Sequence, residues 1–283
     1  MSHKYFINSV YQHGIHNFLI NAEFSLSEPQ CRIFLDLLRN VKHYDIEFRT
    51  IRYSKADLMK LTKLDSLPKL RAMFEDFASR KIRRVLSPLE QPGKTEVVYE
   101  VRNWVTRATE YTNGVFEVSF TPEMADFLLD LVNKGNFTMV EVESMFKMNM
   151  CARRIYMFAK QNLNLKGDAK GKRIMPIMGL IKSMELSDYY QEYYHLSQKI
   201  LKPAQKQINE ISDIEISILP DKATRLSKGG YRNIIIMAKR KDGRVQEVQE
   251  DAVNMPLTQK TLDNGEYVGG KNTTSVWKTA ECS

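Results

Sequence analysis

No run of 18 apolar residues occurs in this 283-residue chain, so no membrane-spanning helix is expected. Its three cysteines, Cys31, Cys151 and Cys282, are far apart and odd in number. Such usage fits a reducing cytoplasm and argues against a disulfide framework or a Cys-based zinc site. The five histidines show no metal-ligand spacing beyond the pair His13/His16. Met1-Ser2-His3-Lys4-Tyr5-Phe6 opens the chain without a long apolar stretch and small-residue cleavage site, so a cytoplasmic location is expected rather than secretion. Hydrophobic residues make up 43% of the chain, enough for one large domain or two ordinary ones.

The net charge of +8 is unevenly spread. Residues 1–146 carry 19 basic and 19 acidic side chains, residues 147–241 carry 19 and 8, and residues 242–283 carry 4 and 7. An excess confined to one block is the electrostatic footprint of a polyanion binder.

Within that block lies LSQKILKPAQKQINEISDIEISI, residues 196–218. At helical spacing Leu196, Ile200, Ala204, Ile208 and Ile211 form an apolar stripe, with Lys199, Lys202, Lys206 and Asn209 on another face. Ile214, Ile216 and Ile218 then alternate with Glu215 and Ser217 as a strand. Pro203 implies a kink or a new helix start. A polar loop with Lys222, Arg225 and Lys228 follows, and beyond it the apolar run 231–238, led by Tyr231 and Arg232. A basic helix followed by a basic hairpin is how a winged helix meets DNA, although a lysine-bearing face is often merely solvated.

The same order is expected earlier in the chain. Ser27-Glu28-Pro29-Gln30 and Ser54-Lys55-Ala56-Asp57 are capping signals for two helices, and Leu70, Met73, Phe74 and Phe77 line a third. Arg80, Lys81, Arg83 and Arg84 cluster at its expected end, where cations suit the helix dipole. Residues 85–89 and 95–101 read as a hairpin, and Phe116, Val118 and Phe120 as a further strand. Thr138-Met139-Val140-Glu141 reads as a helix cap. The next helix is expected to turn Ile155, Phe158 and Ala159 inward and Arg153 and Arg154 outward, and residues 174–184 are expected to form one apolar helix.

ILKPAQKQINEISDIEIS and FTMVEVESMFKMNMCARRIYMFAKQ resemble the iteron-binding plasmid replication initiators, chiefly through Arg154-Ile155-Tyr156, Leu201-Lys202-Pro203-Ala204 and Ile208-Asn209. FLINAEFSLSEPQCRIFLDLL and GVFEVSFTPEMADFLLDL extend the likeness to residues 15–240. Gln205 and Gln207 depart from it, standing where the family more often has an aliphatic residue and Glu. The resemblance implies an α+β chain of two tandem winged-helix domains, each a helical bundle with a β-hairpin wing. The expected division is 1–132 for dimerisation and accessory DNA contacts, 133–241 for main DNA recognition, and 242–283 as a polar tail. The resemblance also implies partners: double-stranded DNA (origin repeats and operator), a homodimer in equilibrium with a DNA-binding monomer, and the host initiator and replicative helicase.

DNA contacts are expected from Lys199, Lys202, Gln205, Lys206, Asn209, Lys222, Arg225, Lys228, Arg232, Arg153, Arg154, Arg80, Lys81, Arg83 and Arg84. Gln205 is the sharpest expectation for base reading, since an amide can bond adenine bidentately. No enzyme activity, metal or cofactor is expected. Residues 265–272 nearly spell a phosphate-binding loop, but Asn272 replaces its Ser or Thr. A transcriptional repressor of the same tandem fold without origin activity is the alternative.

Overall fold

In the computed structural model, residues 12–41, 48, 50–85, 99–131, 135–163, 170–227 and 230–241 are described. The expectations placed on Lys228, on the tip of the first hairpin and on residues 242–283 lie outside them.

The amide oxygen of Gln30 accepts the Ser27 backbone N–H at 2.9 Å, and Pro29 sits in the first turn, where its missing donor costs nothing. Helix α2, Glu28–Asn40, starts there, after strand β1, Gln12–His16, and the short helix α1, Asn17–Asn21. It buries Ile33, Phe34, Leu37 and Leu38. Strand β2, Ile51–Ser54, leads into helix α3, Lys55–Thr62, whose Asp57 N–H bonds Ser54 Oγ at 3.1 Å. Helix α4, Leu67–Ser79, then lays Leu70, Met73, Phe74 and Phe77 into the core.

Strands β3, Lys81–Val85, and β4, Tyr99–Asn103, pair antiparallel as the first hairpin. Trp104 interrupts the strand there and is fully buried, with Phe24 and Phe34 edge-on at 4.9 and 5.2 Å. The chain continues as β5, Val105–Glu110, and β6, Val115–Phe120, which join β2 in a separate sheet ordered β2-β6-β5. A 3-10 turn, Pro122–Met124, and the short helix α5, Ala125–Leu128, follow.

Residues expected to cap a helix at 138–141 are instead in strand β7, Phe137–Glu141, paired antiparallel with β1 from Gln12↔Glu141 to His16↔Phe137. Alternation decides this: Thr138 and Val140 are buried while Phe137, Met139 and Glu141 are half-buried. Helix α6, Val142–Lys147, and helix α7, Met150–Gln161, come next.

The expected helix over 174–184 divides into strand β8, Lys172–Pro176, and helix α8, Ile177–Ser183, because Pro176 sits at the N-cap and disfavours helix at the residue before it. Gly171, at φ +66°, allows β8 to start where it does. A Cβ there would stand 2.2 Å from the Ala238 carbonyl oxygen. A 3-10 turn, Asp188–Gln191, precedes helix α9, Tyr193–Leu196, which continues through a π turn, Ser197–Leu201, into helix α10, Lys202–Ile211. Strands β9, Ile214–Pro220, and β10, Asn233–Arg240, complete a three-stranded sheet ordered β8-β10-β9.

Helix, short strand, helix, helix and hairpin therefore occur twice, over 28–103 and 150–240. The inner face of the second sheet, Ile214, Ile216, Ile234 and Ile236, is fully packed. Ile208, Ala204, Ile200 and Leu196 meet it from the helix, as the apolar stripe requires.

Candidate nucleic-acid interface

Helices α9 and α10 and the π turn between them make one continuous helical element over residues 193–211. Pro203 is the reason for the π turn. A proline has no N–H to give the carbonyl four residues back and its ring crowds that carbonyl; widening the turn relieves both. Here the Lys202 N–H reaches five residues back to the Ser197 carbonyl.

Lys199, Lys202 and Lys206 are exposed along this element. Among the described residues Lys202 Nζ meets only Gln198 Oε1, at 3.3 Å, and Lys206 has Glu210 no nearer than 3.9 Å. Gln205 and Asn209 do not share that freedom. Gln205 Oε1 accepts the Ile218 N–H at 2.9 Å, while Asn209 donates to the Ile216 carbonyl at 2.9 Å and accepts the Ile216 N–H at 2.7 Å. Strand β9 is at the edge of its sheet, and these two amides satisfy backbone groups that no neighbouring strand covers. The spacing explains the match: four residues along a helix span about 6 Å, close to the roughly 6.6 Å of two residues along a strand. Both side chains were expected to read bases, and that expectation is corrected for their bonded atoms, which tie helix to wing.

The C-terminal end of the helix is fixed as firmly. Lys241 Nζ donates to the carbonyls of Asn209 and Ser212, the latter at 2.8 Å, which suits the negative end of the helix. Asp213 lies next, in a buried pair with Lys160 Nζ at 2.5 Å, and the Tyr156 hydroxyl donates to its other oxygen at 2.8 Å. Burial pushes the Lys160 amine down, opposed by Asp213, and pushes the Tyr156 phenol well up. Sequence reasoning missed this group, because a Lys and an Asp 53 positions apart give no local signal.

The wing carries Lys222 in a 3-10 turn, Lys222–Thr224, with Arg225 bridged to Tyr231 and Arg232 beyond; all three basic side chains are exposed. Among the described residues, no carboxylate lies within ion-pair distance of Lys199, Lys202, Lys222, Arg225 or Arg232.

Arg153 and Arg154, expected to point outward, are 2% and 3% exposed. Arg153 grips both oxygens of Glu28 at 2.7 and 2.9 Å and donates to the Met145 carbonyl at 2.6 Å. Burial alone would raise the Glu28 carboxyl, but the bonds and charge of Arg153 and Arg32 hold it below its ordinary value. Arg154 donates to the carbonyls of Ala22 and Ser183 and stacks over Phe24 at 4.1 Å. Burial, with Arg173 nearby, pulls it down to about 9. The physical reason for the correction is that this helix is enclosed by α1, β7, α10 and the second sheet, so no face is left for solvent. Both arginines join the two halves of the fold.

The cluster at 80–84 is also placed differently. The helix ends at Ser79, and Lys81, Arg83 and Arg84 lie on strand β3. Arg80 pairs with Asp76 at 3.0 Å, Lys81 bonds Asn103 and Arg83 pairs with Glu185 at 2.6 Å. Arg80, Lys81 and Arg83 are thus each engaged within the protein.

The family model "Initiator Replication protein, WH1" matches residues 15–160, more than half of the chain, and "Initiator Rep protein, WH2" matches residues 176–229. The chain belongs to the initiator replication protein family. Among solved structures this initiator resembles the Pi initiator protein in complex with iteron DNA, at 13% identity and a TM-score of 0.58 over 83% of this chain and 100% of that one. That likeness shows the fold, a pair of winged-helix units. No curated protein matches the initiator by sequence. Among its described residues no helix is long and apolar enough to cross a membrane, and no group of His, Cys, Asp or Glu could hold a metal ion.

Proposed function

We propose that this initiator binds repeated duplex sites, iterons, in a plasmid replication origin, with helix 193–211 in the major groove and the wing on the backbone. It then opens the neighbouring DNA and recruits the host initiator and replicative helicase. As a dimer, in equilibrium with the DNA-binding monomer, it represses its own promoter. In this reading residues 1–132 supply the dimer contacts, residues 133–241 the main DNA contacts, and residues 242–283 a tail. Exposed Tyr99 and Val101, at alternate positions of β4, support a protein contact on the first unit.

One observation carries the DNA reading: Lys199, Lys202, Lys222, Arg225 and Arg232 of helix and wing are exposed and, among the described residues, lack carboxylate partners, which is the condition for releasing counterions from phosphates. Supplying this gene in trans to a plasmid that carries a candidate origin but no initiator tests it. Maintenance of that plasmid is the expected result. Operator binding with no maintenance would instead identify a repressor of the same fold.

A further inference from the structure

With Gln205 and Asn209 bonded to the edge of β9, the exposed face of helix 193–211 must be read afresh. Every fourth residue along it is solvent-facing: Tyr194, Gln198, Lys202, Lys206 and Glu210. In an uninterrupted α-helix such a row drifts by about 40° per step, so Lys206 would lie roughly 120° around from Tyr194. The π turn at 197–201 takes in one extra residue and unwinds about 100° of that drift. Lys202 and Lys206 then return to within about 20° of Tyr194, and Gln198 stays within about 40°. A spiral row becomes a straight one.

Along this straight row the protein offers an aromatic ring, an amide and two amines, with the Glu210 carboxylate at its C-terminal end. Tyr194 is 67% exposed, although an aromatic of its size is ordinarily at least half-covered. Gln198 Oε1 accepts from Lys202 Nζ at 3.3 Å, which orients the amide and, among the described residues, leaves Nε2 and a second lone pair of Oε1 unused. The C-terminal half of the helix is held to the wing by Gln205 and Asn209 and to Lys241, and the N-terminal half by Tyr193, edge-on to Tyr231 at 5.1 Å, which leaves Tyr194 and Gln198 facing solvent. In helix-turn-helix proteins it is the N-terminal residues of the recognition helix that meet base edges.

We propose that Gln198 and Tyr194 are the specificity-determining residues of this interface, acting through the major groove. This rests on the DNA-binding reading above. Gln198 donates Nε2–H to adenine N7 and accepts from adenine N6, and Tyr194 packs its ring on the thymine methyl of a neighbouring pair. Lys202, one turn further on, lies within about two base pairs of Gln198 and takes guanine. Lys199 and Lys206 serve phosphates and carry no base preference.

The test is selection of binding sites from a randomised 30-base-pair duplex library by the full chain, run in parallel for the wild type, Gln198→Ala, Tyr194→Ala and Gln205→Ala. The wild type is expected to enrich a site with a fixed adenine. Gln198→Ala should flatten the preference at that adenine, with roughly a 5- to 150-fold loss on the wild-type site and an unchanged salt dependence. Tyr194→Ala should relax a neighbouring thymine, and Gln205→Ala should leave the preferences at that adenine and that thymine unchanged. Unaltered preferences in Gln198→Ala and Tyr194→Ala would overturn the proposal while leaving DNA binding intact. No enrichment by the wild type would overturn the DNA-binding reading itself. Far-ultraviolet circular dichroism of each variant confirms that any loss is not unfolding.

Discussion

The two winged-helix units spend their cations differently. In the first, Arg52 and Arg107 pair with Glu117, Arg71 with Glu110, and Arg102 with Glu100 on its own strand and with Asp126, which ties strands and helices together. In the second, Lys199, Lys222, Arg225 and Arg232 make no such pair among the described residues. The helix that occupies the recognition position in the first unit, 67–79, mixes Lys69 and Arg71 with Glu75 and Asp76. Its counterpart at 193–211 carries Lys199, Lys202 and Lys206 against a single Glu210 on its exposed face. One element order thus carries two charge arrangements: these arginines of the first unit are paired within the protein, while the exposed cations named in the second have no carboxylate within ion-pair distance among the described residues.

Breaking this contrast at its strongest point means neutralising Lys199, Lys202 and Lys206 together. The plot of log affinity against log salt should flatten by up to about three units, and the same treatment of Lys222, Arg225 and Arg232 should do likewise. Removing Arg52, Arg71 and Arg107 should leave the slope unchanged, so a comparable flattening there would contradict the division of labour. Filter-binding or fluorescence titrations at several salt concentrations decide it.

A second measurement separates positioning from contact. Asn209→Ala removes two bonds to β9 and leaves backbone groups of an edge strand unsatisfied, so unfolding by urea should show a loss of roughly 2–4 kcal/mol. Gln205→Ala should cost about 1–2 kcal/mol. If either amide contacted only DNA, stability would not change.

The joint between the units gives the next effect. Glu28→Gln deprives the buried Arg153 of its charge partner; with the carboxylate partly in solvent, about 1–3 kcal/mol is expected. The folded carboxyl titrates below its unfolded value of 4.5, so its contribution is complete above that pH. It should fade as pH falls through the lower folded value, and wild type and variant should converge in acid. The smallest effect belongs to Arg80→Ala, which breaks an exposed one-turn pair with Asp76 and should change stability by no more than about 0.5 kcal/mol.

Capping boxes, the apolar stripe 196–211 and the alternation at 214–218 were legible because each depends on residues a few positions apart. The fate of the polar residues was not. Whether Gln205 faces a groove or a strand depends on where β9 runs, and whether Arg153 meets water depends on Glu28, 125 positions away. Strand β7 was hidden for a similar reason, since its partner β1 lies at the other end of the first unit. Pro203 announced an irregularity, but not that the helix would absorb it as a wider turn and keep its direction. The candidate site was therefore half visible: its lysines could be named, while Tyr194 and Gln198 emerged only once the turn was seen.

The bonds from Gln205 and Asn209 to strand β9 make the recognition helix and the wing a rigid caliper. Its two jaws cannot adjust independently, so in the proposed complex the distance between the groove that would receive the helix and the backbone that would receive the wing is itself measured. A base pair inserted between those two contacts shifts one jaw by about 3.4 Å and rotates it away from its phosphate. Discrimination by spacing therefore comes from two neutral amides, neither of which has to touch the DNA.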